Sequence, residues 1–172
     1  RHRNTNVYRS LKIWSDDSKK ETLSGPFVID IDNDEDLDDA FTVTRNATKC
    51  IVNLYKLKEG DIRLFFTGHK GFNIEVLPIM LGLDCTPSGQ DNKGDSIRDR
   101  IICEIRRNAG LVTQPGQARN LVSQRGTFID KNHDYVRLHN SINEWIESPG
   151  QKASRRKIDL TLSELNELSL NQ

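Results

Sequence analysis

Two aspartates, Asp30 and Asp32, stand one residue apart at the end of an apolar run, Pro26-Phe27-Val28-Ile29-Asp30-Ile31-Asp32. Read as a β-strand, the run alternates its faces with period two. Phe27, Ile29 and Ile31 then point one way, and Val28, Asp30 and Asp32 the other. Two carboxylates about 7 Å apart on one strand face repel each other, and a cation between them converts the repulsion into binding. An all-oxygen donor set suits Mg2+ or Mn2+. Seven of the ten residues from Asp30 to Asp39 are acidic. Most such runs are solvated loops or helix starts, and Asp34, Glu35, Asp36, Asp38 and Asp39 fit the first turn of a helix, where negative charge meets the positive end of the dipole. That explanation leaves Asp30 and Asp32 over.

Two later segments carry complementary chemistry. Thr67-Gly68-His69-Lys70-Gly71 reads as a turn whose glycines let backbone N–H groups approach phosphate oxygens, with Lys70 and His69 adding positive charge. Phe128-Ile129-Asp130 offers a third carboxylate, and Arg137 a fork-shaped phosphate donor. Two metal ions held by carboxylates can clamp a triphosphate and activate an attacking hydroxyl. Taken singly, a glycine turn is usually a hairpin loop, Asp130 a turn cap and Arg137 a surface residue; their order and strand placement join them.

The elements that must position these groups follow from periodicity. A first strand is expected over Asn6–Trp14 and a polar loop over Ser15–Gly25. A helix is expected from about Asp34 to Leu57, with Leu37, Ala40, Phe41, Ala47, Ile51 and Leu54 at helical spacing and Gly60 as its stop. Strands are expected at Ile62–Phe66 and Phe72–Val76, the second turning Asn73 and Glu75 away from the core. Asp84–Ser96 reads as a loop and Ile97–Ala109 as a helix with Ile97, Ile101 and Ile105 inside and Arg98, Arg106 and Arg107 outside. A short helix is expected within Leu111–Arg125, strands at Phe128–Asp130 and Tyr135–Leu138, a polar loop over Glu147–Lys157 and a last helix starting at Ser163. The fold class is α/β (α+β): a mixed, mostly antiparallel sheet with packed helices in a single domain spanning residues 1–172.

Composition narrows the partners. Lys and Arg number 25, as do Asp and Glu, so the formal net charge is zero. From Arg98 to Lys157, however, twelve basic residues face six acidic ones. A basic half beside an acidic metal site suits a polyanionic substrate. Three cysteines without a C-x-x-C pair argue against a disulfide framework or zinc ribbon and fit a reducing, cytoplasmic interior. No apolar run approaches membrane-spanning length. The chain starts at Arg1 rather than Met, and a piece of a longer protein is expected.

The stretches FVIDIDNDEDLDDAF, DIRLFFTGHKGFNIEVLP and FID…YVRLHNSIN together resemble the catalytic core of the archaeo-eukaryotic primase superfamily, its primase-polymerase members most of all. The resemblance runs from about residue 7 to about residue 165. It implies an RRM-like catalytic core, template-directed nucleotidyl transfer, Mg2+ or Mn2+ as cofactor, and nucleoside triphosphates and a single-stranded or primed DNA template as partners. A helicase or accessory domain elsewhere in the full protein is a further expectation. Asp30 and Asp32 match the first motif and Asp130 the third, all three implied as catalytic metal ligands. Thr67, Gly68, His69, Lys70, Gly71 and Asn73 fall on the second-motif hairpin, which contacts the triphosphate; Arg137, Ser141 and Asn143 resemble a stretch that follows the third motif. The closing KIDLTLSEL resembles the segment where such domains end. The sequence departs from the pattern at Asn73, which stands where the second motif has His; an amide can donate a hydrogen bond but carries no charge. Another alignment places His139 at the third-motif position.

A second function class shares the fold: a nucleotide- or single-strand-binding module with attenuated catalysis, marked by Asn73. Haloacid-dehalogenase phosphatases also open on Asp-x-Asp, but Asp34 stands where they carry Thr or Val. An EF-hand loop starting at Asp30 fails with Glu35 at position six and Phe41 at position twelve.

Overall fold

The computed structural model describes residues 8–10, 12–14, 21–23, 26–82, 100–101, 103–108, 111–114, 117–130, 135–137, 142–149 and 151–167. The strands are β1 (Tyr8–Ser10), β2 (Lys12–Trp14), β3 (Glu21–Leu23), β4 (Phe27–Asp32), β5 (Ile62–Phe66), β6 (Gly71–Val76), β7 (Val112–Gln114), β8 (Gln117–Val122), β9 (Phe128–Asp130), β10 (Tyr135–Arg137), β11 (Ile142–Ser148), β12 (Gln151–Arg156) and β13 (Ile158–Leu160). The helices are α1 (Leu37–Tyr55), α2 (described at 100–101 and 103–108) and α3 (Leu162–Glu167). Seven strands form one sheet in the order β13-β5-β6-β4-β9-β8-β7, and three two-stranded pairs, β1-β10, β2-β3 and β11-β12, accompany it. Every described pairing is antiparallel. No helix among the described residues is long and apolar enough to cross a membrane.

The core lies on one face of this sheet. Phe27, Ile29 and Ile31 of β4, Phe72, Ile74 and Val76 of β6, Ile62 and Leu64 of β5 and Ile129 of β9 are all buried in one cluster. Helix α1 packs on β6 and β4 through Ala40, Phe41, Val43, Ala47 and Ile51. The Phe41 and Phe72 rings meet edge-on at 5.6 Å, and Phe66 and Phe72 at 5.5 Å. Ile101 and Ile105 of α2 and Leu165 of α3 complete the cluster, while Arg106 and Arg107 lie exposed.

Local chemistry sets the ends of α1. The Asn33 side-chain oxygen accepts the N–H groups of Glu35 (3.0 Å) and Asp36 (2.8 Å), turning the chain after β4. Asp36 is the N-cap, its carboxylate accepting from Asp39 N–H at 2.9 Å. The helix ends at Lys56 in the left-handed region (φ 56°), and Leu57 N–H returns to the Val52 carbonyl at 3.1 Å. The expected stop, Gly60, instead lies in the 3-10 turn Glu59–Asp61. A lysine in this conformation gives no signal in the sequence, because glycine is the residue that adopts it cheaply.

Other expectations change. The single strand over Asn6–Trp14 is two, β1 pairing with β10 and β2 with β3. The polar stretch Ser15–Gly25 contributes β3. The helix expected within Leu111–Arg125 is the hairpin β7-β8, whose Pro115-Gly116 turn signal outweighs a weak helical period. The polar loop Glu147–Lys157 is mostly β12, paired with β11. Backbone pairing there needs no apolar alternation, so hydropathy did not reveal it. Helix α3 starts one residue early because Thr161 and Glu164 form a capping box, with Thr161 N–H on Glu164 Oε2 (2.6 Å) and Glu164 N–H on Thr161 Oγ1 (3.0 Å). The loop expected over Asp84–Ser96, and Ile97 and Arg98 of the next helix, lie outside the described residues.

Gly71 sits where β6 crosses the end of β4, opposite Asp32. A Cβ there would fall 2.0 Å from the Ile31 carbonyl oxygen and 2.2 Å from Asp32 Oδ1. Gly71→Ala is therefore expected to destabilise the fold by at least about 1–3 kcal/mol in urea denaturation. Gly60→Ala, with nothing within 4 Å of its added carbon, should stay within about 0.5 kcal/mol of the unsubstituted protein. Equal stabilities for the two variants would refute this account.

Candidate functional site

The face of the sheet opposite the core collects the residues with chemistry. Across five strands the register runs Asp159 (β13), Phe65 (β5), Asn73 (β6), Asp30 (β4) and Asp130 (β9). The next row sets Asp32 between Gly71 and Phe128. Directly opposed residues share a face, so the register brings positions 30, 73 and 130 into one row although they are far apart in sequence. Asp130 opposes Asp30 in register; His139, the other candidate for that place, lies outside the described residues.

Asp30 is half-buried, and its Oδ1 accepts a hydrogen bond from Asn73 Nδ2 at 2.5 Å. Asn73 is turned away from the core as expected, yet it is only 3 % exposed, because this face is covered as well. Its Oδ1 accepts from Lys157 Nζ at 2.9 Å. Lys157 is fully buried, pairs with Glu75 at 3.1 Å and lies 4.2 Å from the centroid of the Phe65 ring. Sequence reading missed both members of this ion pair. Glu75 could have been found, since it shares a strand face with Asn73 two residues away. Lys157 gave no signal, being 84 residues from Asn73 and last in a run of basic residues.

Asp32 is met by Lys70, whose Nζ lies 3.3 Å from its Oδ2 and 3.0 Å from Asp34 Oδ1. Partial burial pulls the Lys70 pKa down, but contact with Asp34 and Asp32 outweighs it and holds the ammonium above its ordinary range. The turn that carries Lys70 is tied at both ends. The Thr67 N–H and hydroxyl both donate to the Gly71 carbonyl at 2.9 Å, and Asn33 N–H donates to the Lys70 carbonyl at 2.9 Å. Gly68 takes φ 92°, a conformation suited to glycine. The structure thus brings Lys70 to Asp32 and sets Gly71 opposite it, and it commits the Thr67 hydroxyl to closing the turn. His69, between Gly68 and Lys70, is half-buried.

Of the remaining expected residues, Arg137 lies on β10 opposite Tyr8, and Asn143 on β11 opposite Arg155. The side chains of Asp130, Arg137 and Asn143, and the whole of Ser141, lie outside the described residues. Among the described residues no three His, Cys, Asp or Glu side chains gather around one point. Asp30 and Asp32 offer two hard oxygen donors on one strand face, a donor chemistry that fits Mg2+ or Mn2+, with the Asp130 position beside them.

The rest of the acid run builds structure. Asp39 is buried, and one of its carboxylate oxygens accepts from the hydroxyls of both Ser123 and Thr127. Asn33 Nδ2 donates to Thr127 Oγ1 and to the Arg125 carbonyl, both at 3.0 Å, and Arg125 pairs with Asp36. The turn before β9 is thereby locked to the start of α1, which holds β9 against β4. Asp39→Ala should cost about 1–3 kcal/mol in thermal or denaturant unfolding by leaving the buried Thr127 hydroxyl and the half-buried Ser123 hydroxyl short of an acceptor. Asp38→Ala, at an exposed position, should cost no more than the dipole contribution of about 0.3–1 kcal/mol. Equal losses would count against the Asp39 lock.

In comparisons with known proteins, no protein-family model, no curated protein and no solved structure matches this chain.

Proposed function

We propose that this domain is a primase-polymerase-like nucleotidyltransferase, joining nucleotides on a DNA template at a site built on Asp30, Asp32 and Asp130. The observation that carries the reading is the register: Asp130 opposes Asp30, Gly71 opposes Asp32, and Lys70 of the glycine turn contacts Asp32. The order of strands supports it too. With the β7-β8 hairpin set aside as an insertion between α2 and β9, the chain order β4-α1-β5-β6-α2-β9 is a β-α-β-β-α-β pattern, and its four strands lie side by side as β5-β6-β4-β9, the arrangement of an RRM-like sheet.

In this reading each residue has a defined task. Asp30, Asp32 and Asp130 hold the divalent cations, which when bound supply charge stabilisation at the attacking 3′ oxygen and the departing pyrophosphate. Asn73 orients the Asp30 carboxylate through its 2.5 Å hydrogen bond. Lys70, on a flexible stem beside Asp32, exchanges its carboxylate partners for triphosphate oxygens as the nucleotide enters. Gly68 keeps the turn free of a side chain where phosphate approaches, Gly71 leaves room for the Asp32 carboxylate, and His69 and Arg137 add donors. The basic residues between Arg98 and Lys157 follow the template backbone with salt-dependent affinity.

One observation favours a second reading, a nucleotide- or single-strand-binding module without turnover. Asp30 and Asp32 already have donors, Asn73 and Lys70, and Asn73 brings no charge of its own. Primer extension with Mg2+ or Mn2+, run beside calorimetric titration of Mn2+ and a nucleoside triphosphate, separates the two. Nucleotide incorporation is expected and should vanish in Asp30→Ala/Asp32→Ala; incorporation that survives this double substitution would sink the enzymatic reading. Lys70→Met should raise the nucleotide KM about 10- to 100-fold, the loss of one charge-assisted contact. Nucleotide binding with no incorporation under any metal or template would favour the binding module.

A further inference from the structure

The residue just before β13, Lys157, reaches under the second face of the sheet and is 0 % exposed. Burying an ammonium costs several kcal/mol, so its partners must hold it there. Glu75 Oε1, at 3.1 Å and itself buried, neutralises the charge. The Phe65 ring lies under the same nitrogen, its centroid 4.2 Å away. A further contact, Nζ to Asn73 Oδ1 at 2.9 Å, is not needed for neutrality and has a directional effect.

A side-chain amide has one accepting end and one donating end, an ammonium only donates, and a carboxylate only accepts. Asn73 is held between the ammonium of Lys157 and the carboxylate of Asp30. In one orientation its oxygen meets the ammonium and its NH2 meets the carboxylate. Rotated by half a turn, it would set NH2 against NH3+ and oxygen against oxygen, losing two charge-assisted hydrogen bonds in a buried place. Lys157, holding the oxygen end, therefore fixes with Asp30 the orientation that turns the NH2 of Asn73 to the carboxylate.

We propose that Lys157 is a positioning residue of the metal site: by fixing the Asn73 amide, it orients the Asp30 carboxylate for a divalent cation. This inference rests on the reading of Asp30 and Asp32 as metal ligands. Its chemistry is that of an outer partner holding a ligating carboxylate, a class of contact whose loss typically weakens metal binding by about 10- to 100-fold.

The test uses 15N-labelled protein and two readouts, the Asn73 side-chain amide signals in NMR and the Mn2+ affinity by calorimetry. In the unsubstituted protein one Asn73 amide proton should lie downfield, as expected of a short bond to a carboxylate; its absence there overturns the proposal without recourse to any variant. Lys157→Met combined with Glu75→Leu removes both charges, so neither is left buried alone. In that variant the Asn73 signals should lose their downfield shift and Mn2+ affinity should fall about tenfold. Adding Asn73→Leu should cause no further loss, because the residues act along one path. Additive losses, or unchanged Asn73 signals, overturn the proposal. Mn2+ binding that is normal in the unsubstituted protein and unchanged in the charge-free variant sinks the role of Lys157 alone. An unsubstituted protein that binds no Mn2+ sinks the metal-site reading itself, and the positioning role with it.

Discussion

The alternation of β4 is the constraint on which the rest depends. Phe27, Ile29 and Ile31 are buried against α1 and β6, so Asp30 and Asp32 must project from the opposite face. A one-residue slip would send three large apolar side chains out of the core and two carboxylates in. At roughly 1.5–3 kcal/mol per apolar side chain and several more per buried ion, the slip exceeds or matches the whole stability of an ordinary domain, about 5–15 kcal/mol. The register of β6 and β9 against β4 follows the same logic, since Ile74 opposes Ile29 and Ile129 opposes Ile31 on the core side. The row of Asn73, Asp30 and Asp130 is the reverse side of a hydrophobic register.

Charge on that reverse side is handled in two ways. Toward the β13 edge, Lys157 and Glu75 form a buried pair whose members would each be costly alone, and Asn73 passes the order of that pair on to Asp30. Toward the glycine turn, Lys70 offsets Asp32 and Asp34 in a partly exposed setting where the contacts are weaker and exchangeable. One carboxylate is thus held by a buried network and the other by a partly exposed ammonium. Behind both, the Asn33, Asp39, Ser123 and Thr127 hydrogen bonds tie the start of α1 to the turn before β9.

Much of this was legible in the residues. The strand from Phe27 to Asp32, the helix that follows, and the strands at Ile62–Phe66 and Gly71–Val76 all show clean periodicity, and the division of the acid run holds for Asp36, which caps α1, and for Asp38 and Asp39 in its first turn, while Asp34 and Glu35 precede the cap and Asp34 meets Lys70. The hairpins β7-β8 and β11-β12 were not legible, because their strands are short or polar and gain their place from backbone pairing. Asp39 looked like one more solvated acid; only its burial against two hydroxyls distinguishes it from Asp38.

By itself the sequence determined which residues alternate and therefore which face of β4 carries Asp30 and Asp32, since period two is a local property of extended backbone. The sequence marked Gly71 only as a turn glycine; that a carbonyl and a carboxylate oxygen occupy the place of its Cβ is visible only in space. Only the tertiary structure decided that Asp130 stands opposite Asp30 and that Lys157 holds Asn73. Those contacts join residues 84 to 100 positions apart, and no local rule of propensity or spacing encodes a pairing across such a separation.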